Sequence, residues 1–236
     1  MRGVVVQVQE QMARRAARLL SFGEVVALGI GLPTQVAEYV TDDQRVTFFA
    51  ENGVAGIGPR PRADREDADV INAGGQPVTL LSHGSYFDSA TAFAAIRGGR
   101  LTTAVLGALQ VSEQGDLASW KIPGRFSPGM GGSMELAGKA RRTIVLTRHE
   151  TRDGQPKLLP SCTIPLTAAR AVDIVITDLG MFAVTDDGLL LQEVVPGLTA
   201  DEVLRRTPCR VRVADPLGSM APTTAQASEG AGGEDR

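Results

Sequence analysis

Apolar positions follow two rhythms along this chain. Met12, Ala13, Ala16, Ala17, Leu19 and Leu20 are spaced for one helical face, and the pattern stops at Ser21-Phe22-Gly23. A helix over 12–20 with a glycine stop is therefore predicted. Short continuous apolar runs come next. Residues 24–28 read as a buried strand that enters Gly29-Ile30-Gly31-Leu32-Pro33-Thr34, and helical spacing resumes over 35–40. Residues 46–50 form a second run that ends on Glu51-Asn52-Gly53. Similar runs at 69–71, 78–80, 101–105, 143–147, 172–177 and 189–194 predict further strands. Between them lie helix signals at 89–97 and 135–139, with an N-capped helix at 199–205. Buried strands alternating with helices and loops argue for an α/β domain with a largely parallel sheet flanked by helices.

Length and charge narrow this picture. A chain of 236 residues is long enough for one large domain, since it buries roughly 70–75% of its unfolded surface. One domain is expected over 1–217, and a disordered tail over 218–236, where the composition turns to Ala, Gly, Ser, Thr and Glu. With 24 basic and 27 acidic side chains, no electrostatic footprint for nucleic acid or an anionic membrane is present. The opening apolar run is too brief for a signal peptide, and no stretch reaches the roughly 20 apolar residues of a membrane helix. A cytoplasmic protein is the expectation. Cys162 and Cys209 lack metal or redox spacing and read as structural thiols, and His83 and His149 are the only histidines. No metal site is expected.

Glu51 carries the most chemical information, because a carboxylate at the carboxyl end of a buried strand stands where open α/β sheets collect ligands. A turn carboxylate capping the next segment is the plainer reading. Gly29-Ile30-Gly31 is open to ligand approach or to tight helix-on-strand packing, and Thr34 excludes a dinucleotide fingerprint. Pro128-Gly129-Met130-Gly131-Gly132 offers backbone N–H groups ahead of a helix, either as an anion nest or as a surface loop. His83 reads as a turn histidine after a strand end, and His149 as a solvated loop residue. Trp120 reads as a loop anchor.

Taken in order, Ala27-Leu28-Gly29-Ile30-Gly31-Leu32-Pro33, Glu51-Asn52-Gly53, Ile71-Asn72-Ala73-Gly74, Ile96-Arg97-Gly98-Gly99, Gly115-Asp116-Leu117-Ala118-Ser119-Trp120 and Gly129-Met130-Gly131-Gly132 resemble the B-type half of family I 3-oxoacid CoA-transferases. The resemblance continues through Cys162-Thr163-Ile164-Pro165-Leu166-Thr167 to Val195-Pro196-Gly197-Leu198-Thr199 and covers about residues 10 to 215. It implies a CoA-transferase fold and a ping-pong exchange of CoA between an acyl-CoA and a 3-oxoacid of the acetoacetate, ketone-body type. Glu51 matches the nucleophile that becomes a glutamyl-CoA thioester. Gly131 and Gly132 match the loop that supplies backbone donors, and Gly29, Gly31, Asn52 and Gly53 fall near substrate or CoA.

CoA enters as a substrate, with no permanently bound cofactor implied. The implied partner is a separate A-type subunit, in a heterodimer or heterotetramer, since only about ten residues precede the first helix. Three positions differ from the family pattern: Ala50 replaces a serine, Ala27 an asparagine and Gly75 a lysine. The last two bear on recognition of the acid. Three alternatives stand beside this reading: a 3-oxoadipate CoA-transferase subunit, acyl-CoA hydrolase or lyase chemistry on the same fold, and an acyl-CoA-binding subunit without turnover.

Overall fold

The computed structural model describes residues 2–127 and 129–221, with side chains from residue 8 onward. One ten-stranded sheet dominates it. Its centre is parallel and contains β2 (Thr47–Ala50), β1 (Val25–Leu28), β5 (Thr103–Gly107), β8 (Arg142–Leu146) and β10 (Ile174–Ile176), in that spatial order. Antiparallel strands extend both edges. β3 (Val54–Ile57) and β4 (Leu80–Tyr86) continue beyond β2, while β11 (Gly180–Thr185) and β12 (Gly188–Val194) continue beyond β10. β13 (Val211–Ser219) closes that second edge, parallel to β12. A small second sheet joins β7 (Leu117–Ala118), β6 (Gln110–Ser112) and β9 (Leu158–Leu159).

The central strands are apolar at successive positions because both faces of the sheet are covered. Ala27, Ala104, Val145 and Val175 face one core with Ala92 and Ile96 of α2 (Ser89–Arg97) and Leu136 and Ala137 of α3 (Ser133–Lys139). Their neighbours Val26, Val105, Ile144 and Ile176 face the other core, with Met12, Ala13, Ala16 and Ala17 of α1 (Arg2–Ala17). Each strand thus contributes to two cores by its two-residue period. Truncating a fully buried Ile144 to Ala would cost about 2–5 kcal/mol.

Most predicted elements form, several with changed limits. α1 begins at Arg2 instead of residue 12. The helical segment after Pro33 is a 3-10 helix over Leu32–Tyr39. Residues 69–71 make no strand, because only an isolated bridge joins Ile71 to Pro77. The run at 78–80 begins β4 late, at Leu80, so His83 lies within a strand and not in a turn after one. α4 (Ala200–Leu204) forms as expected, with Thr199 and Glu202 closing a reciprocal cap. β13 extends past the expected boundary at 218. Gly218 and Ser219 pair with Glu193 and Val194, and Met220 is fully buried. Of the tail predicted over 218–236, the part from 222 onward lies outside the described residues.

His149 corrects a second expectation, since it is wholly buried instead of solvated. Its ring bridges two threonines, with Nδ1 3.1 Å from Thr177 Oγ1 and Nε2 3.0 Å from Thr207 Oγ1. The Thr207 hydroxyl donates to the Val203 carbonyl, so it accepts from Nε2–H. The Thr177 hydroxyl lies within reach of both Nδ1 and the Gly180 carbonyl, and its oxygen accepts from the Leu179 and Gly180 N–H groups. Burial lowers the His149 pKa below the ordinary imidazole value, against a smaller opposing pull from Asp178. In the unfolded chain His149 therefore takes up its proton first as the pH falls. Its contribution to stability is complete above the ordinary value of 6.5 and declines as pH drops below that value towards the folded pKa. Urea unfolding between pH 8 and pH 5 should show a smaller loss of stability on acidification in His149→Gln than in the parent chain.

Candidate active site

Parallel pairing of β1 with β2 sets Val26 opposite Phe48 and Ala27 opposite Phe49. Continuing that register brings Gly29 and Glu51 to the same level, one strand apart, at the carboxyl edge of the sheet. Neighbouring strands lie about 4.8 Å apart. Two further segments reach the same place. Asn52 Nδ2 donates to the Ile71 carbonyl at 2.9 Å, which ties the 71–76 loop to the Glu51 turn. Gly132, at the start of α3, lies directly against the Glu51 side chain.

The loop at 72–76 is held by Asn72, whose Oδ1 accepts from the N–H groups of Gly74 and Gln76. This sets Gly74 beside Ile30, since a Cβ on Gly74 would lie 3.6 Å from Ile30 Cγ1. Gly29 and Gly31 behave differently. Gly29 donates to the Val105 carbonyl at 2.8 Å and sits close to the Leu106 backbone, so packing accounts for it. Gly31 is exposed with open space around it, and Ile30 between them is 72% exposed. A cleft of about 1270 Å³ adjoins these turns, with Leu28, Gly31, Ala50, Asn72, Ala73 and His83 among its walls.

Glu51 is half-buried and, among the described residues, has no ion-pair partner. Its immediate neighbour is backbone. A Cβ built on Gly132 would fall 2.8 Å from Glu51 Cγ and 2.9 Å from Oε1. Gly132 has an ordinary right-handed conformation, φ −78°, so the space it leaves for the carboxyl group explains the residue. Among the described residues, no acceptor is bonded to the N–H of Gly131 or Gly132. On the other flank, Gly53 has φ +114°, and a Cβ there would overlap the Phe87 carbonyl oxygen. No side chain fits that position.

Other sequence landmarks belong to the scaffold. Asp116 accepts from Ser112 Oγ and from the Arg170 N–H, and Gly98 caps α2. Trp120 Nε1 donates to the Leu166 carbonyl at 3.2 Å, which anchors a loop as expected. Cys162 and Cys209 are free thiols, and burial pushes their pKa values up to about 11 and about 12. Ala27, one of the differing positions, is buried in the α2–α3 core. Gly75 is exposed, at φ +73°. Phe87, which presses on the Glu51 turn, gives no signal in the sequence, because it carries no polar group and belongs to none of the motifs.

The coenzyme A transferase family model matches residues 9–206. The chain belongs to this family. The β chain of a probable coenzyme A transferase from Bacillus subtilis is 46% identical over 91% of this chain and 99% of its own length. The B-type chain of a probable succinyl-CoA:3-ketoacid coenzyme A transferase from the same organism is 44% identical over 85% of this chain and 93% of its own. The β chain of the Escherichia coli acetate CoA-transferase is 42% identical over 90% of this chain and 97% of its own length. Among solved structures, the acyl-CoA transferase apoenzyme from Escherichia coli O157:H7 shares the fold at TM-score 0.73 and 20% identity. It is matched over 90% of this chain and 43% of that one. The transferase fold thus accounts for the sheet, and the sequence relatives place the chain among the β-type or B-type halves of these enzymes.

The two glycines that flank Glu51 make opposite predictions. Gly53→Ala should lower stability in urea by more than about 2 kcal/mol, because left-handed strain adds to a clash with fixed backbone. Gly132→Ala should stay within about 1 kcal/mol, because the atoms in its way belong to the half-buried Glu51 side chain, which can rotate away from the added methyl. Its effect should appear instead in the chemistry of Glu51.

Proposed function

We propose that this chain is the glutamate-bearing, B-type half of a CoA-transferase that moves CoA between an acyl-CoA and a 3-oxoacid of the acetoacetate type, with Glu51 as nucleophile. The observation that carries the reading is the Glu51 carboxyl group: uncapped by any cation among the described residues, at a strand's carboxyl end, and lying against the Gly132 backbone. A carboxylate without a cation beside it keeps its nucleophilic electrons, and the turn that carries it supplies the proximity that such attack needs.

In this scheme one Glu51 oxygen attacks the thioester carbonyl, and the tetrahedral oxyanion collapses to an acyl-glutamyl anhydride with CoA thiolate leaving. The thiolate then attacks the Glu51 carbonyl carbon, releasing the first acid and leaving a glutamyl-CoA thioester. The second acid reverses both steps. No net proton or electron is consumed. The Gly131 and Gly132 N–H groups are the donors proposed for the oxyanion, with Gly29, Gly31, Asn52 and Gly53 shaping the surrounding turns. The relatives are named for a 3-ketoacid and for acetate, so the glutamate chemistry is the common element. Of the two differing positions tied to acid recognition, Ala27 is buried in the core and Gly75 is exposed, so Gly75 is the one through which this chain would tune its acid.

An A-type partner completes the site in this reading. Its support is the apolar surface on the segments that surround Glu51: Ile30 is 72% exposed, Tyr86 57%, Phe126 95% and Met134 47%. Large apolar side chains left this exposed fit a surface that is covered in use. A heterodimer, paired into a heterotetramer, is the proposed assembly, and CoA would bind at the interface.

Two measurements test the reading. The chain co-expressed with its A-type partner should exchange CoA between succinyl-CoA and acetoacetate and gain the mass of a CoA thioester on the Glu51 peptide. Glu51→Gln, with deamidation excluded by mass, should lose on the order of 1000-fold or more in exchange rate while still folding. Retention of most of the turnover would remove Glu51 from the nucleophile role. Light scattering after size exclusion should show the purified single chain inactive and the co-expressed pair as a larger, active complex. Full exchange activity from the single chain would overturn the two-subunit reading.

A further inference from the structure

Phe87 contacts the Glu51 turn at Gly53, and neither the family resemblance nor the proposed chemistry gives it a part. It touches the turn in three ways. Its N–H donates to the Gly53 carbonyl at 2.9 Å. Its own carbonyl oxygen fills the space that a Cβ on Gly53 would need. Its ring stacks on Phe49, with centroids 5.6 Å apart and planes 26° from parallel. Phe49 is the β2 residue two before Glu51, so the ring braces the strand while the backbone braces the turn. The turn itself is closed by the Gly53 N–H donating to the Ala50 carbonyl at 3.0 Å, with Glu51 and Asn52 at its two central positions.

Phe87 is in turn held from behind. The next residue, Asp88, caps α2 by accepting from the Thr91 N–H at 2.7 Å. That cap fixes the chain at Phe87 relative to the helix. α2 then grips α3 through Arg97 and Glu135, at 2.6 Å. α3 begins at Ser133, directly after Gly132, which abuts the Glu51 carboxyl group. The contacts close a ring: Glu51 turn, Phe87, α2, α3, Gly132, and back to Glu51.

We infer that Phe87 is a positioning residue for Glu51, fixing the turn from the α2 side so that the carboxyl group meets the Gly132 backbone at a set distance. This rests on the nucleophile reading above. Removing the ring leaves the hydrogen bonds of the turn in place but frees β2 and the turn to shift, and near-attack geometry is lost within about 1 Å. Binding of the acyl-CoA, which depends on other surfaces, should change little.

The test is the rate at which acyl-CoA labels Glu51 in the co-expressed complex, followed by the mass of the Glu51 peptide after quenching. Phe87→Ala should slow labelling about 10- to 100-fold at saturating acyl-CoA, with the half-saturating concentration within about twofold of the parent. Phe87→Tyr, which keeps the ring, should stay within about threefold of the parent rate. Should Phe87→Ala fail to fold, Phe87→Leu keeps most of the apolar volume without the stacking and should show the same split. Normal labelling in the parent and in the folded Ala or Leu variant overturns the positioning role alone. A loss that appears only in the half-saturating concentration also overturns it. Absence of any CoA mass on Glu51 in the parent overturns the nucleophile reading, and the positioning role with it.

Discussion

Parallel pairing of β2, β1, β5, β8 and β10 forces five carboxyl ends onto one edge of one sheet, and the rest of the site follows from that constraint. Hydrogen-bonded register allows each strand end only discrete positions relative to its neighbour. Once Ala27 pairs with Phe49, the Gly29 and Glu51 turns have no freedom to drift apart. The two hydrophobic cores keep the register in place, because a slip of one residue in any central strand would exchange its α1-facing side chains for its α2-facing ones.

The site is therefore a local product of a global pattern, yet its finishing contacts are backbone in character. Neither neighbour of Glu51 acts through a charged side chain. Gly132, at an ordinary φ, lies against Glu51 itself, and the Phe87 carbonyl oxygen occupies the volume of the missing Cβ on Gly53, two residues on. These contacts fix the turn, and among the described residues the carboxylate forms no salt bridge.

Much of this is legible in the residues alone, and what is not has physical causes. Runs apolar at every position predict buried strands because strands covered on both faces lose their alternation. Glu51 stands out because its carboxylate interrupts such a run at its end. β11 escapes the reading of apolar runs, although Asp186-Asp187-Gly188 is a hairpin signal between two of them. β13 carries Arg212, Asp215 and Pro216, which an edge strand tolerates and a central one would not. His149 reads as solvated because Arg148 and Glu150 surround it in sequence. Burial there is decided by Thr177 and Thr207, distant along the chain and invisible to any local pattern. Phe87 shows the same limit: what matters is where its carbonyl points, and sequence does not encode that locally.

The edge formed by β12 and β13 has one more consequence, which concerns time and not space. Gln11 on α1 donates to the Met220 carbonyl across 209 positions of sequence, and Arg15 forms a two-pronged pair with Glu193. At a ribosomal rate of about 5–20 residues per second, roughly 10–40 seconds separate the synthesis of those partners. α1 can rest early on the 3-10 helix and β1, but its far flank waits for β13 to be made. Through that interval the nascent chain carries a half-covered apolar helix, so this edge is where chaperone dependence during translation would concentrate.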